Sequence, residues 1–233
     1  MQAIFFDMDG TLLPMDIEGF MKLYFKGLCG ALCPLGVTPE KLVEVVWAGT
    51  KEMVKNDGAM TNEARFWQTF EKMTGLSAEP FIPVSNAFYK EGFAASKAAT
   101  GENPLAMEAV RLAREKAEKV VLATNPLFPM NGQVTRMGFV GLKPEDFDHV
   151  TSYENSRYCK PNPEYYLQLC REFDLDPAQC LMIGNDERED MYAASLAGMQ
   201  GFLVTDGLIP CKEHPWQGPR GTFAELVEML KNL

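Results

Sequence analysis

Two aspartates follow an apolar run at the beginning of the chain. Residues 3–6 read Ala-Ile-Phe-Phe, and Asp7 and Asp9 come directly after them, with Gly10 and Thr11 behind. Carboxylates are costly to bury, so a pair of them at the end of an apolar strand indicates chemistry rather than packing. Phosphoryl transfer through an aspartate needs a carboxylate nucleophile and an acid for the leaving oxygen. Asp7 and Asp9 match these two requirements.

Other polar residues stand at the ends of later apolar runs. Thr124 and Asn125 follow Val-Val-Leu-Ala, and Lys160 precedes a helix start marked by two prolines. The segment 184–190, Gly-Asn-Asp-Glu-Arg-Glu-Asp, follows a third apolar run. In open α/β sheets, ligands bind beyond the carboxyl ends of the strands. We therefore expect these residues to converge with Asp7 and Asp9.

The elements that must position these residues fall into two groups. Residues 14–99 show helical periodicity with little strand signal, in four segments at 16–28, 38–56, from 61 to Gly75, and 83–98. Outside this stretch, strands alternate with helices, which predicts a mostly parallel sheet. The predicted strands are 3–6, 120–124, 180–185 and 201–206, and the predicted helices are 102–119, 161–173 and 187–198. We expect one α/β domain of residues 1–13 and 100–233, interrupted by a helical insert of residues 14–99.

Composition narrows the classes of partner. The 233 residues are 46% hydrophobic and carry a net charge of −10. This negative charge argues against nucleic acid or an anionic membrane surface as the main partner. No apolar run is long enough to span a membrane, and the N-terminus lacks the pattern of a secretory signal. The six cysteines lack the spacing of a disulfide scaffold. We expect a cytoplasmic protein with reduced thiols.

The polar motifs, taken in order, resemble those of a known family. FDMDGTLL resembles motif I of the haloacid dehalogenase-like (HAD) hydrolases, Thr124-Asn125 resembles motif II, Lys160 in KPNPE resembles motif III, and GNDERED resembles motif IV. The resemblance covers nearly the whole of the predicted α/β domain. It implies a Rossmann-like parallel sheet, with the helical insert after the first strand acting as a C1-type cap that closes over small substrates.

The resemblance also implies a role for each motif residue. Asp7 is the expected nucleophile, which forms an aspartyl-phosphate. Asp9 is the expected general acid toward the leaving alcohol and the general base for water. Lys160 offsets the clustered negative charge and contacts the nucleophile and the phosphate, and Thr124 and Asn125 hold phosphate oxygens.

The same resemblance implies a Mg²⁺ cofactor bound by Asp7, the backbone carbonyl of Asp9 and an acidic residue of motif IV. Mg²⁺ prefers such hard oxygen ligands. The family pattern places an aspartate directly after the glycine, but here Asn185 stands there and Asp186 follows. Because a neutral amide is a weaker Mg²⁺ ligand than a carboxylate, the sequence favours Asp186, with Asn185 as the alternative. Asp190 is expected to support Lys160 or the metal.

The leading hypothesis is a Mg²⁺-dependent phosphatase for a small phosphorylated metabolite, active as a monomer or homodimer. A sugar-phosphate mutase of the same family uses the same aspartates and stays open. Asp9 argues against a dehalogenase, and a phosphonate-cleaving enzyme is disfavoured because such enzymes use a cap lysine and lack this acid. From another class, a phosphoacceptor domain has a different motif order and a shorter chain. A binding protein without turnover is disfavoured by the presence of Asp7, Asp9 and Lys160.

Overall fold

A single parallel sheet organises the chain in the computed structural model, which describes residues 1–233. The six strands lie in the order β3-β2-β1-β4-β5-β6, and every neighbouring pair is parallel. Their bounds are β1 Ala3–Phe6, β2 Lys119–Leu122, β3 His149–Val150, β4 Cys180–Gly184, β5 Gln200–Val204 and β6 Arg220–Gly221. The predicted α/β class with a Rossmann-like parallel sheet is confirmed.

The register of the central strands aligns their carboxyl ends. Phe6, the last residue of β1, pairs with Leu122 of β2 and with Ile183 of β4. The main chain continues this pairing one residue further, because the Asp7 amide donates to the Ile183 carbonyl at 2.9 Å. The residues that follow β1, β2 and β4 therefore meet at one edge of the sheet.

Helices cover both faces of the sheet, as a parallel sheet requires. Ile4 and Phe6 of β1 pack on one face, against the helices Ala106–Lys116 (α5) and Phe223–Lys231 (α9). Ala3 and Phe5 pack on the other face, against Glu164–Glu172 (α7) and Ala193–Leu196 (α8). This alternation is the side-chain period of a strand. The helices are α5 Ala106–Lys116, α6 Met130–Phe139, α7 Glu164–Glu172, α8 Ala193–Leu196 and α9 Phe223–Lys231. A π-helix, Glu187–Tyr192, leads into α8.

The segment between β1 and β2 starts with four helices that have a hydrophobic cluster of their own. They are α1 Ile17–Leu32, α2 Pro39–Val54, α3 Asn62–Thr74 and α4 Phe81–Lys90. Local signals start and end α2 and α3: Thr38 and Thr61 are N-caps, and Gly75 ends α3 in the left-handed conformation. The fourth helix stops at Lys90, and a 3-10 helix, Gly92–Ala99, follows. The division into an α/β domain and a cap of residues 14–99 stays a prediction.

No helix by itself is long and apolar enough to cross a membrane. The segments Ile17–Leu35 and Pro39–Val54, bent by 112° at their junction, meet that criterion only as a pair and only by length and composition.

Candidate active site

A chain of three charged side chains lies at the carboxyl edge of the sheet. Lys160 donates from Nζ to Asp7 Oδ1 at 2.8 Å and to Asp190 Oδ1 at 2.7 Å. The side chains of Lys160 and Asp190 are each only 1% exposed. Since an unpaired buried charge is strongly destabilising, the three groups depend on one another. The structure thus joins the predicted nucleophile, the predicted lysine and the last aspartate of the acidic motif.

Burial and pairing act in opposite directions on these groups. Burial lowers the pKa of Lys160, but Asp190 and Asp7 raise it well above its usual value. Lys160 therefore keeps its positive charge. Burial raises the pKa of Asp190 to about 7, although the neighbouring Lys160 opposes this shift. The result is a buried cation held between the carboxyl groups of Asp7 and Asp190.

A tight turn carries the chain from Asp7 to Asp9 and back toward the sheet. Gly10 has φ +86°, and its amide donates to the Leu13 carbonyl at 2.8 Å. A Cβ atom at this position would lie 2.3 Å from Asn185 Nδ2. Glycine is required here both by the backbone conformation and by the close approach of Asn185.

Asp9 is paired with an arginine that sequence reasoning missed. Arg136 of α6 is fully buried and donates from Nη1 to Asp9 Oδ2 and from Nη2 to Gln133 Oε1. Burial raises the pKa of Asp9, and the Arg136 charge opposes that shift. No local motif marks Arg136, because it lies in a helix that the sequence did not predict.

The side chain of Asn185 is linked to that of Asp7 through the Thr11 hydroxyl. The Thr11 hydroxyl donates to Asn185 Oδ1 at 2.9 Å and lies 3.4 Å from Asp7 Oδ2. Asn185 Nδ2 donates to the Gly207 carbonyl at 2.7 Å. The amide is therefore oriented with its oxygen toward the Asp7 side and its nitrogen away from it.

Asp186 has a different task. Its Oδ1 accepts hydrogen bonds from the backbone amides of Arg188 at 2.7 Å and Glu189 at 2.8 Å, and it caps the π-helix. These amides lack partners at a helix start, and an aspartate at the N-cap satisfies them. Of the two residues, Asn185 directs its side-chain oxygen toward Thr11 on the Asp7 side, whereas Asp186 caps the π-helix. Which of them binds the metal stays a prediction.

Thr124 and Asn125, which follow β2 after one intervening alanine, lie at the same edge. The Thr124 carbonyl accepts hydrogen bonds from Tyr165 and Thr151 at 2.9 and 2.7 Å. Asn125 Nδ2 donates to the Lys160 carbonyl at 3.3 Å and to Glu189 Oε2 at 2.9 Å. Burial raises the pKa of Glu189 to about 7, with Lys160 opposing the shift. Glu189 lies within the acidic motif, but sequence reasoning assigned it no role.

The donor set at this edge consists of oxygen atoms. No three histidine, cysteine, aspartate or glutamate side chains converge as a metal site. Asp7 Oδ2 and Asn185 Oδ1 nevertheless face the same hydroxyl, that of Thr11. Mg²⁺ is usually held by one or two carboxylates together with water and substrate phosphate. One carboxylate and one amide oxygen, supplemented by a backbone carbonyl, fit this ion.

A cavity of about 320 Å³ opens beside Asp9. It runs from the Gly10 turn to the loop after β5, and its charged lining residues are Asp9, Glu102 and Asp206. All three are acidic; Asp9 is paired with Arg136, and Asp206 Oδ2 accepts a hydrogen bond from the Phe223 amide at 2.7 Å.

Comparisons with known proteins show the family to which this chain is similar. A family model described as haloacid dehalogenase-like hydrolase matches residues 1–198. The chain is 27% identical to an N-acetylmuramic acid 6-phosphate phosphatase of Pseudomonas putida, over 97% of this chain and 91% of the relative. It is 22% identical to a glyceraldehyde 3-phosphate phosphatase of Methanothermobacter thermautotrophicus, over 89% and 87%. A HAD phosphatase structure from Thermococcus onnurineus superposes with a TM-score of 0.61 at 19% identity, over 99% and 98%.

Proposed function

The chain belongs to the haloacid dehalogenase-like hydrolases, and on that premise we propose that it is a Mg²⁺-dependent phosphatase that acts through an aspartyl-phosphate at Asp7. The predicted family and enzyme class, a phosphoric monoester hydrolase, are confirmed by the family match and by relatives that are phosphatases of small phosphorylated molecules. The site residues, the metal and the chemical steps are the proposal.

The observation that carries the proposal is the environment of Asp7. One carboxylate oxygen is bound by the buried Lys160, and the other lies on the side of Thr11 and Asn185. A carboxylate held in this way has a fixed orientation at the end of β1, which is what attack on a phosphorus atom requires. Lys160 places a positive charge where phosphate oxygens would bind, within a protein whose net charge is −10.

In the first step, an oxygen of Asp7 attacks phosphorus while the bond from phosphorus to the ester oxygen breaks. Asp9 gives a proton to that oxygen, and a neutral alcohol leaves. Thr124 and Asn125 hold the transferred phosphoryl group beside Lys160. In the second step, water attacks phosphorus, Asp9 takes a proton from the water, and the bond to Asp7 breaks to release phosphate.

Mg²⁺ would be held by Asp7, Asn185 and the backbone carbonyl of Asp9. Bound there, it would neutralise charge on the phosphoryl oxygens during transfer. Asp190 helps to hold Lys160 in place, because Lys160 donates hydrogen bonds to both Asp7 and Asp190. Asp186 keeps its capping role.

The cavity beside Asp9 favours one class of substrate. The alcohol that leaves from Asp9 would depart into the cavity that Glu102 and Asp206 line. A second anionic group on the substrate would be repelled there, whereas the hydroxyl groups of a sugar or polyol could donate hydrogen bonds to these carboxylates. We propose a small uncharged alcohol as the leaving group. Action on free metabolites in the cytoplasm, as a monomer or homodimer, belongs to the same proposal.

Phosphate release from a panel of sugar, polyol and carboxylic acid monophosphates, with Mg²⁺ or with EDTA, tests the function. Turnover that requires Mg²⁺ and is abolished in Asp7→Asn supports it. Conversion of a sugar phosphate into its isomer without phosphate release would instead establish the mutase. A stable phosphoenzyme, or binding without turnover in a folded protein, would contradict the phosphatase.

A further inference from the structure

Arg136 is a buried arginine with two specific partners. It is 0% exposed, and its guanidinium donates to Asp9 Oδ2 and Gln133 Oε1. Its central carbon lies 4.5 Å from the ring centroid of Phe128, which fixes the plane of the group. Arginine is almost never fully buried unless it is paired. The interaction with Asp9 is therefore a feature on which the local structure depends.

The two oxygens of Asp9 have different environments. Oδ2 accepts the hydrogen bond from Arg136, whereas Oδ1 is buried and has no hydrogen-bond partner in the protein. A buried polar atom without a partner is unusual in a folded protein and often marks a place where a ligand binds. Oδ1 is therefore the Asp9 oxygen to which the protein offers no hydrogen-bond donor.

We propose that Arg136 is a positioning residue, which holds Oδ2 of Asp9 so that Oδ1 exchanges the proton with the leaving alcohol and with the attacking water. The inference rests on the proposed function, because it assigns Asp9 the acid–base role. The O–H bond at Oδ1 breaks as the ester oxygen leaves phosphorus and takes the proton. The bond forms again when the attacking water gives its proton to Oδ1.

The surroundings of Arg136 explain how it is held in place. Gln133 is fixed in turn, because its Nε2 donates to the Thr151 carbonyl at 3.0 Å. On the same helix, the Thr135 hydroxyl donates to the Tyr89 carbonyl of α4 at 2.9 Å, and the Tyr89 ring packs edge-on against Phe128. Helix α6 is thereby attached to both the sheet side and the helical insert. The position of Asp9 depends on this shared support.

The test compares two substrates in Arg136→Met and Arg136→Lys. An alkyl phosphate needs an acid for its leaving oxygen, whereas p-nitrophenyl phosphate releases a stable anion and needs little help. The kinetic constant is kcat/KM, which reports phosphoryl transfer to Asp7 and not the later hydrolysis. For Arg136→Met we expect a loss of about 30-fold or more with the alkyl phosphate, and of less than about 3-fold with p-nitrophenyl phosphate. Arg136→Lys keeps the charge but lacks the fork of arginine, so we expect partial recovery.

Arg111→Met is the matched control, because Arg111 is exposed on α5 and pairs only with Glu115. We expect both substrates to be turned over as in the unmodified protein. If Arg136→Met does not fold, Gln133→Leu removes the second partner of Arg136 and should show the same substrate difference at about 3- to 10-fold. Equal losses with both substrates, in whichever of these variants folds, would overturn the inference. Failure of the proposed function is a separate result, since the unmodified protein would then release no phosphate.

Discussion

Asn185 and Gly207 form a contact that sets the polarity of the site: the Asn185 amide nitrogen donates to the Gly207 carbonyl at 2.7 Å. The amide oxygen must then point to the opposite side, where Thr11 and Asp7 lie. An aspartate at position 185 would place a carboxylate oxygen against that carbonyl, with no proton to share. Asparagine is therefore compatible with this loop in a way that the family's usual aspartate is not.

The metal position can be assigned by two substitutions. Asn185→Ala removes the oxygen that faces Thr11, so we expect the Mg²⁺ concentration for half-maximal activity to rise about 10-fold or more. Asp186→Asn keeps an N-cap side chain and should leave that concentration within about 2-fold. The measurement is a Mg²⁺ titration of phosphatase activity. If Asp186→Asn raised the Mg²⁺ concentration for half-maximal activity more than Asn185→Ala did, Asp186 would be the metal ligand.

Lys160→Met should abolish activity and destabilise the protein. The substitution leaves Asp7 and Asp190 buried beside each other without their shared cation. We expect a loss of about 3 to 5 kcal/mol in the free energy of unfolding, measured by urea denaturation in EDTA. The double variant Lys160→Met, Asp190→Leu should recover part of this stability but none of the activity. A stable single variant would mean that the carboxylates are less dependent on Lys160 than their burial indicates.

The raised pKa of Glu189 predicts that the free energy of unfolding changes with pH. Its pKa rises from 4.5 to about 7 on burial, so the folded state binds more protons than the unfolded state between these values. Stability therefore falls as the pH rises through this window. Glu189→Gln keeps an acceptor for Asn125 and removes the ionisation. In EDTA, we expect the variant to gain up to about 3 kcal/mol relative to the unmodified protein on going from pH 4.5 to pH 8. If the two proteins differed in free energy of unfolding by the same amount at pH 4.5 and at pH 8, the raised pKa of Glu189 would be contradicted.

Gly10→Ala tests the turn between the two aspartates. The new Cβ would lie 2.3 Å from Asn185 Nδ2 in a left-handed backbone conformation. Gly75→Ala is the matched control, because Gly75 is also left-handed (φ +72°) but a Cβ there would meet nothing within 4 Å. We expect about 1 kcal/mol of destabilisation at Gly75 and more at Gly10, with activity lost only at Gly10. Thermal denaturation and phosphate release measure both effects, and equal effects at the two sites would exclude a role for the Asn185 contact.

The acidic cavity predicts discrimination between two similar substrates. N-acetylglucosamine 6-phosphate and N-acetylmuramic acid 6-phosphate differ only in the lactyl ether, which brings a carboxylate. Because Glu102 and Asp206 line the cavity, we expect kcat/KM to favour the uncharged sugar by about 10-fold or more. The double variant Glu102→Gln, Asp206→Asn should reduce this preference. A preference for the carboxylate-bearing sugar would refute the assignment of the leaving-group class.

Much of the fold was accessible from local patterns. The apolar runs ending in polar residues predicted β1, β2, β4 and β5, and caps such as Thr38 and Thr61 located helix starts. The strands β3 and β6 were not predicted, because two-residue strands carry no periodicity and exist only through pairing with a neighbour. Helix α6 was missed because it contains two glycines and buries Gln133 and Arg136 in place of an apolar stripe.

The sequence by itself determined the chemical inventory of the site: an aspartate pair after the first strand, a threonine and asparagine after the second, a lysine before a helix, and an acidic motif after a later strand. Strand order and register bring these groups to one edge, and that convergence follows from the parallel sheet. Only the tertiary structure decided which atom faces which. The contacts of Asn185 with Thr11 and Gly207, the pairing of Asp9 with Arg136 and the acidic cavity depend on residues far apart in the chain, and no local pattern encodes such contacts.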